Sequence, residues 1–213
     1  DLDSTLADHW PDVDWPEGVD PTQITLAGLL NHQTPMDSGT IGFMETQVTE
    51  LEPEEFREYI SRGIETREPG FSYSNFGYYL YAAILKDVTG RSWRDWLDQE
   101  VFDPLDMDHT STRHSDFPPE TVSWSHARTG DSQFDWPSGG GFYANPPKSD
   151  STMHPAGGIV TSAHDLARWL SAQLEGEFDG IEESRRRVVE APDFQIHDQF
   201  DCHSYAMGWQ LCE

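Results

Sequence analysis

Lysine is almost absent from this chain. Lys86 and Lys148 are the only two, among 13 Lys and Arg set against 39 Asp and Glu, for a net charge of -26. A nucleic-acid backbone is held by clustered Lys and Arg, so a nucleic-acid footprint is excluded. Docking on an anionic membrane surface is excluded for the same reason. Long apolar runs are missing too. The best, Phe76 to Leu85, is broken by Gly77 and tyrosines and falls far short of the roughly 18 residues a membrane span needs, so no membrane insertion is expected. Cysteine is limited to Cys202 and Cys212, too few to define a redox compartment and able to be either free or paired. Several motifs are also lacking: a calcium-binding loop, H-E-x-x-H, a Walker A loop, a G-x-S-x-G elbow, and G-x-G-x-x-G after a strand. Cys202-His203 has no C-x-x-C or H-x-x-x-H partner, and the pairs His109/His114 and His197/His203 are off the i,i+4 spacing that places two ligands on one helix face. No metal and no cofactor is expected, and the nine histidines read as structural or surface groups.

What is present argues for a folded protein. Aromatic residues make up 12% of the chain, including eight tryptophans, which a disordered acidic chain would not carry. The length suits one domain with a substantial core. The negative charge is heaviest in the first third but runs throughout, so it is a surface property and not a tail. Self-repulsion at this density weakens a compact state unless salt screens it, which predicts a salt-adapted, halophilic source. The chain opens Asp1-Leu2-Asp3 without Met or a signal-peptide pattern and closes Gln210-Leu211-Cys212-Glu213 directly after a strand-like run. Both ends are read as cut.

Residues 1 to 23, rich in Pro and Asp, are expected to meander. Thr25 caps a short helix through Leu26, Leu29 and Leu30, and residues 35 to 47, with Gly39 and Gly42, read as loop. Pro53 sits in the first turn of a helix over Glu54 to Arg62 that Gly63 stops. The best-defined segment starts at Ser74 or Asn75, carries Phe76, Tyr79, Leu80, Ala83, Ile84 and Val88 at helical spacing, and closes at Thr89-Gly90. Ser92 caps a helix from Trp93 to Val101, halted by Pro104. Thr121 to Ala127 alternates as a strand does, inside a Gly- and Pro-rich stretch. Ser162 caps a helix from Ala163 to about Leu174 with Leu166, Trp169 and Leu170 on one face. A helix over Ile181 to Glu190 and a strand over Tyr205 to Leu211 complete the reading. Helix dominates, and the sheet these helices should cover is largely missing.

The run Glu68-Pro69-Gly70-Phe71-Ser72-Tyr73-Ser74-Asn75-Phe76-Gly77-Tyr78-Tyr79-Leu80 resembles the middle motif of the serine β-lactamase-like family, which spans class C β-lactamases, DD-peptidases, related penicillin-binding proteins and esterases. Three further segments follow that family's order. Leu29-Leu30-Asn31-His32-Gln33-Thr34 is similar to its L-L-t-H-t-S-G segment, although Gln33-Thr34-Pro35 departs from the usual Thr-Ser-Gly. Val101-Phe102-Asp103-Pro104-Leu105-Asp106-Met107 resembles its P-L-G-M segment, and Gly157-Gly158 through Asp165-Leu166-Ala167 its G-G-l-s-t-a-D-l-a segment. A second triplet, Tyr143-Ala144-Asn145, is followed by Pro146-Pro147, which cannot continue as the supporting helix, and reads as coincidental.

The resemblance implies an α+β β-lactamase/transpeptidase-like fold, an antiparallel sheet flanked by helices plus a helical lobe that this chain largely supplies. It implies a serine hydrolase acting by acyl transfer on a small-molecule amide or ester. Tyr73 would be its acid/base group and Asn75 its substrate-positioning residue. The chemistry suits those types: a tyrosine hydroxyl beside a cationic lysine has its ionised form favoured and can relay a proton to and from a serine, and an amide offers donor and acceptor together. The family's S-x-x-K nucleophile motif and its K-T-G or H-x-G strand are absent from these residues, and Arg128-Thr129-Gly130 mimics the latter in the wrong order. Residues 1–213 therefore read as a partial domain, incapable of turnover by itself, whose S-x-x-K and third motif lie outside it. A non-catalytic member that keeps the scaffold for binding is the alternative.

Overall fold

The computed structural model describes residues 1–128, 142–145, 147–176, 180–191 and 200–212. The first 23 residues do more than meander: Thr5 and Asp8 form a capping box over a one-turn helix, α1 (Leu6–His9). Thr25 caps α2 (Leu26–Leu30) by accepting from the Gly28 N–H at 3.0 Å, as expected. Residues 35 to 47 are not the loop their glycines suggested. They form β1 (Met36–Asp37), α3 (Gly39–Phe43) and a π-helical turn over Met44–Val48. The glycines serve close approach instead, because a Cβ on Gly39 would fall 2.7 Å from the Gly63 carbonyl oxygen, and one on Gly42 2.4 Å from Ser38 Cβ.

Helix α4 (Pro53–Gly63) carries Pro53 in its first turn, and β2 (Glu65–Thr66) returns antiparallel to β1. Helix α5 (Phe76–Thr89) runs from Asn75 to a left-handed Gly90. Ser92 caps α6 (Trp93–Leu97), which widens into a π-helical turn over Asp98–Phe102, so the expected single helix changes geometry partway. The alternating stretch yields β3 (Ser125–Arg128), shorter and later than predicted, paired with β4 (Phe142–Asn145). Helix α7 (Ala163–Glu175) starts at the Ser162 cap, but Leu166 and Leu170 are exposed, and the face turned inward carries Asp165 and Ala172.

Helix α8 (Ile181–Arg186) ends four residues before Glu190, because the β-branched Val188-Val189 run feeds β5 (Val189–Glu190) instead. The predicted strand at Tyr205 is a hairpin: β6 (Cys202–Ala206) turns at Gly208, φ 90°, into β7 (Trp209–Cys212). Cys202 and Cys212 sit opposite each other in this hairpin and are bonded as a disulfide, which settles the open question of their state. Sheet among the described residues is limited to two two-stranded pieces and the antiparallel β5-β6-β7.

One apolar core ties the first half together. Leu6 and Trp10 of the N-terminal segment, Leu29 of α2, Met36, Ile41, Phe56 and Ile60 of α4, and Phe76, Leu80 and Ile84 of α5 are all buried. Trp10, Phe56 and Phe76 form an aromatic ladder with centroids 6.2 and 5.9 Å apart. Gly77 lets α5 lie directly on α2, since a Cβ there would stand 2.1 Å from the Leu29 carbonyl oxygen. A second anchor is the buried Arg94, which pairs with Glu50 and donates to the carbonyls of Thr112, Asp150 and Met153. This stitches α6 to the segments on either side of β3 and β4.

Candidate active site

The turn that enters α5 is built by Arg67. Its guanidinium donates to the Thr34 carbonyl at 3.1 Å, the Ser72 hydroxyl at 2.6 Å and the Ser72 carbonyl at 2.7 Å, and lies 3.6 Å from the Asp37 carboxylate. Asp37 accepts from the Ser74 hydroxyl at 2.7 Å and from the Ser38 N–H at 2.6 Å. Burial alone would push the Asp37 carboxyl up. The hydrogen bonds from Ser74 and Ser38 and the charge of Arg67 outweigh it and hold the group below its usual value. Ser74 in turn accepts from the Phe76 N–H at 3.3 Å, so its hydroxyl ties Asp37 to the first turn of α5.

Tyr73 and Asn75 flank Ser74 and line one open cleft of about 380 Å³ with Asp37, Phe43, Thr46 and Tyr79. Tyr73 is 48% exposed, and Asn75 is half-buried at the helix start. The structure thus brings both predicted residues to one cavity on a braced turn. Tyr79, one turn into α5, is pushed up to about 12 by burial and by nearby Glu45, while a hydrogen bond from the Asn75 side chain pulls the other way.

Two groups near the cleft escaped the sequence reading. Glu45, in the π-helical turn, is 2% exposed and accepts from the Leu51 N–H at 2.9 Å. Burial pushes its carboxyl up to about 7, against that N–H. His32 is buried, with Nδ1 2.9 Å from the Ser74 carbonyl oxygen and Nε2 3.1 Å from the Tyr205 hydroxyl; its ring lies 4.4 Å from that of Tyr73. Its sequence context reads as that of a structural histidine, and only its place in the Leu29–Thr34 segment signals more. The two lysines are committed elsewhere, Lys86 to Glu52 at 2.6 Å and Lys148 to His154 at 2.9 Å. The triplet Tyr143 to Asn145 falls in β4, not before a helix. Thr129, Gly130 and His197 lie outside the described residues. Among the described residues no group of three His, Cys, Asp or Glu is placed to hold a metal, and no helix is long and apolar enough to cross a membrane.

A small α+β scaffold that presents a Tyr-Ser-Asn turn at the start of a buried helix matches a known family along its length. Residues 1–211 match the Beta-lactamase family model, and the chain belongs to that family. Protein flp of Staphylococcus aureus is 26% identical over 146 residues, which cover 67% of this chain and 27% of that protein. Similar folds are found in D-amino acid amidase from Ochrobactrum anthropi SV3, at 24% identity and TM-score 0.71, covering 100% of this chain and 60% of that one. The octameric penicillin-binding protein homologue from Pyrococcus abyssi is similar at 18% identity and TM-score 0.69, covering 98% and 47%. The chain therefore spans about a quarter of the curated relative's length and less than two thirds of these solved chains. At these identities the solved structures establish the β-lactamase/transpeptidase-like fold.

Proposed function

We propose that this chain is the Tyr-x-Asn portion of a serine hydrolase that transfers an acyl group from a small-molecule amide or ester to water through a serine ester. Tyr73 relays the proton to and from the serine, and Asn75 orients the substrate amide or the lysine beside the serine. The single observation that carries this reading is the convergence of Tyr73 and Asn75 on one open cleft, on a turn clamped by Arg67 and Asp37. The serine and lysine of S-x-x-K and the K-T-G or H-x-G strand would come from segments outside residues 1–213, in keeping with the share of longer relatives that the chain spans. Without them these residues would not turn over substrate.

Amides of D-amino acids are reasonable first substrates, because an amidase of that name shares the fold. The net charge of -26 with two lysines supports a salt-adapted protein, whose melting temperature should rise with KCl concentration. The reading is tested by labelling the full gene product with a fluorophosphonate in molar salt. Labelling that disappears when the S-x-x-K serine is replaced by alanine supports it. A full gene product that contains no S-x-x-K and takes no label would return the chain to the scaffold alternative.

A further inference from the structure

His32 is 1% exposed, yet it carries two polar ring nitrogens and adopts φ 57°, a left-handed conformation uncommon outside glycine, though asparagine, aspartate and histidine enter it more readily than other residues. Nδ1 lies 2.9 Å from the Ser74 carbonyl oxygen and 3.3 Å from the Ser74 backbone nitrogen, and Nε2 lies 3.1 Å from the Tyr205 hydroxyl. A proton on Nδ1 makes the shorter Ser74 contact and leaves Nε2 to accept from Tyr205, whereas a proton on Nε2 would let Nδ1 accept from the Ser74 N–H. The backbone of the same residue accepts from the Ser72 N–H at 3.0 Å. His32 thus grips the residues on both sides of Tyr73 while its ring backs the Tyr73 ring, 4.4 Å between centroids. Unusual backbone conformations persist where surroundings over-determine them, and they gather at functional sites.

We propose that His32 is a positioning residue for Tyr73: a neutral imidazole, protonated on Nδ1, that fixes the Ser74 carbonyl and so the aim of the Tyr73 hydroxyl, with Tyr205 selecting the tautomer. The proposal rests on the reading of Tyr73 as the proton relay. Phe71, Tyr73, Tyr78 and Tyr205 surround the ring, and Arg67 is the nearby charge. Burial holds the imidazole well below its ordinary value, to about 4, outweighing the Ser74 hydrogen bond that favours the cation, and Arg67 pushes the same way. The bland role is a satisfied core histidine that adds only stability.

Two substitutions separate these roles. His32→Asn can place an amide N–H where Nδ1–H stands and tolerates the left-handed backbone, but cannot reach Tyr205. His32→Gln reaches toward Tyr205 and abandons Ser74. In the full gene product His32→Asn should keep kcat on an ester substrate within about 3-fold, whereas His32→Gln should lower it about 10- to 100-fold with KM little changed, the scale of misplacing a reacting group by on the order of 1 Å. Tyr205→Phe removes one hydroxyl and leaves the strand; it should lower kcat by at least about 3-fold, again at constant KM, by freeing the tautomer. Equal loss in His32→Asn and His32→Gln overturns the proposal, as does unchanged kcat in Tyr205→Phe. Imidazole 15N shifts of the wild-type protein supply a readout that needs no turnover. The Nδ1–H neutral form should hold from pH 6 to 8, and an Nε2–H tautomer or an imidazolium there overturns the assignment. Absence of fluorophosphonate labelling in the wild type would instead defeat the serine-hydrolase reading.

Discussion

Replacing Gly77 with alanine tests how closely the site-bearing helix must approach α2. The added Cβ would stand 2.1 Å from the Leu29 carbonyl oxygen, 2.9 Å from its carbon and 3.2 Å from Leu29 Cα. All three are backbone atoms, so no side-chain rotation relieves the overlap, and the helices must part by about 1 Å to reach ordinary contact. Alanine gains about 1 kcal/mol of helix propensity over glycine. Against that stand an overpacking cost of about 1–3 kcal/mol and the dispersion lost around Leu29, Phe76 and Leu80 as the helices separate. The loss should win by about 2 kcal/mol, which in a domain of this size lowers the melting temperature by about 4–8 °C. Gly28→Ala is the matched control, since its Cβ would meet only Thr25 Oγ1 at 3.4 Å and should leave the melting temperature level or slightly higher. Gly77 lies two residues after Asn75, so the same displacement should also reduce activity. Circular-dichroism melts of the two variants decide the matter. A Gly77→Ala protein melting at or above the wild type would refute the close-approach argument.

Other perturbations read different parts of the structure. Arg94→Met leaves three carbonyls without the guanidinium and the partly exposed Glu50 carboxylate with only the Trp93 indole N–H, and should cost about 2–3 kcal/mol in chemical denaturation; an unmoved midpoint would contradict it. Glu45, raised to about 7 in the folded state, favours the protonated folded form, so its contribution to stability falls as pH rises from about 4.5 to 7. Glu45→Gln should therefore be more stable than wild type at pH 8, by on the order of 2–3 kcal/mol, with the gap closing toward pH 4.5; a gap independent of pH would refute the buried-carboxyl assignment. His32 and His154, both lowered to about 4, act in the opposite sense: their contribution is full above about 6.5 and is lost as pH falls through about 4. Reducing the Cys202–Cys212 bond releases a loop spanning ten residues of separation and should cost about 3 kcal/mol on chain-entropy grounds; melts unchanged by reductant would count against it.

The helices that carry the core were legible because local chemistry and packing agree there. Pro53 at a helix start, Gly90 at a helix end and the Ser162 cap all stand where the residues implied. The same local rules misled where long-range contact decides. Gly39 and Gly42 look like loop residues, but they are small because α3 lies against α4 and its own preceding turn. Val188-Val189 leaves the helix because β6 is available to pair with it. The split of the Tyr205 strand at Gly208 turned on a positive φ that its single glycine only hinted at. Tyr73 and Asn75, the residues proposed for the site, stand out in the sequence because they sit in one contiguous motif. Their supports do not: Arg67, Asp37, His32 and Tyr205 converge from four separate segments, and nothing in the spacing announces it.

The proposed role of Tyr73 as proton relay stands or falls on Tyr73→Phe, a variant that deletes the hydroxyl while keeping the ring that packs on His32. In the full gene product, kcat on an ester or amide substrate should fall by roughly 100-fold or more, with fold and melting temperature unchanged. A Tyr73→Phe protein that hydrolyses substrate at the wild-type rate would contradict the account and reduce Tyr73 to a brace for the turn.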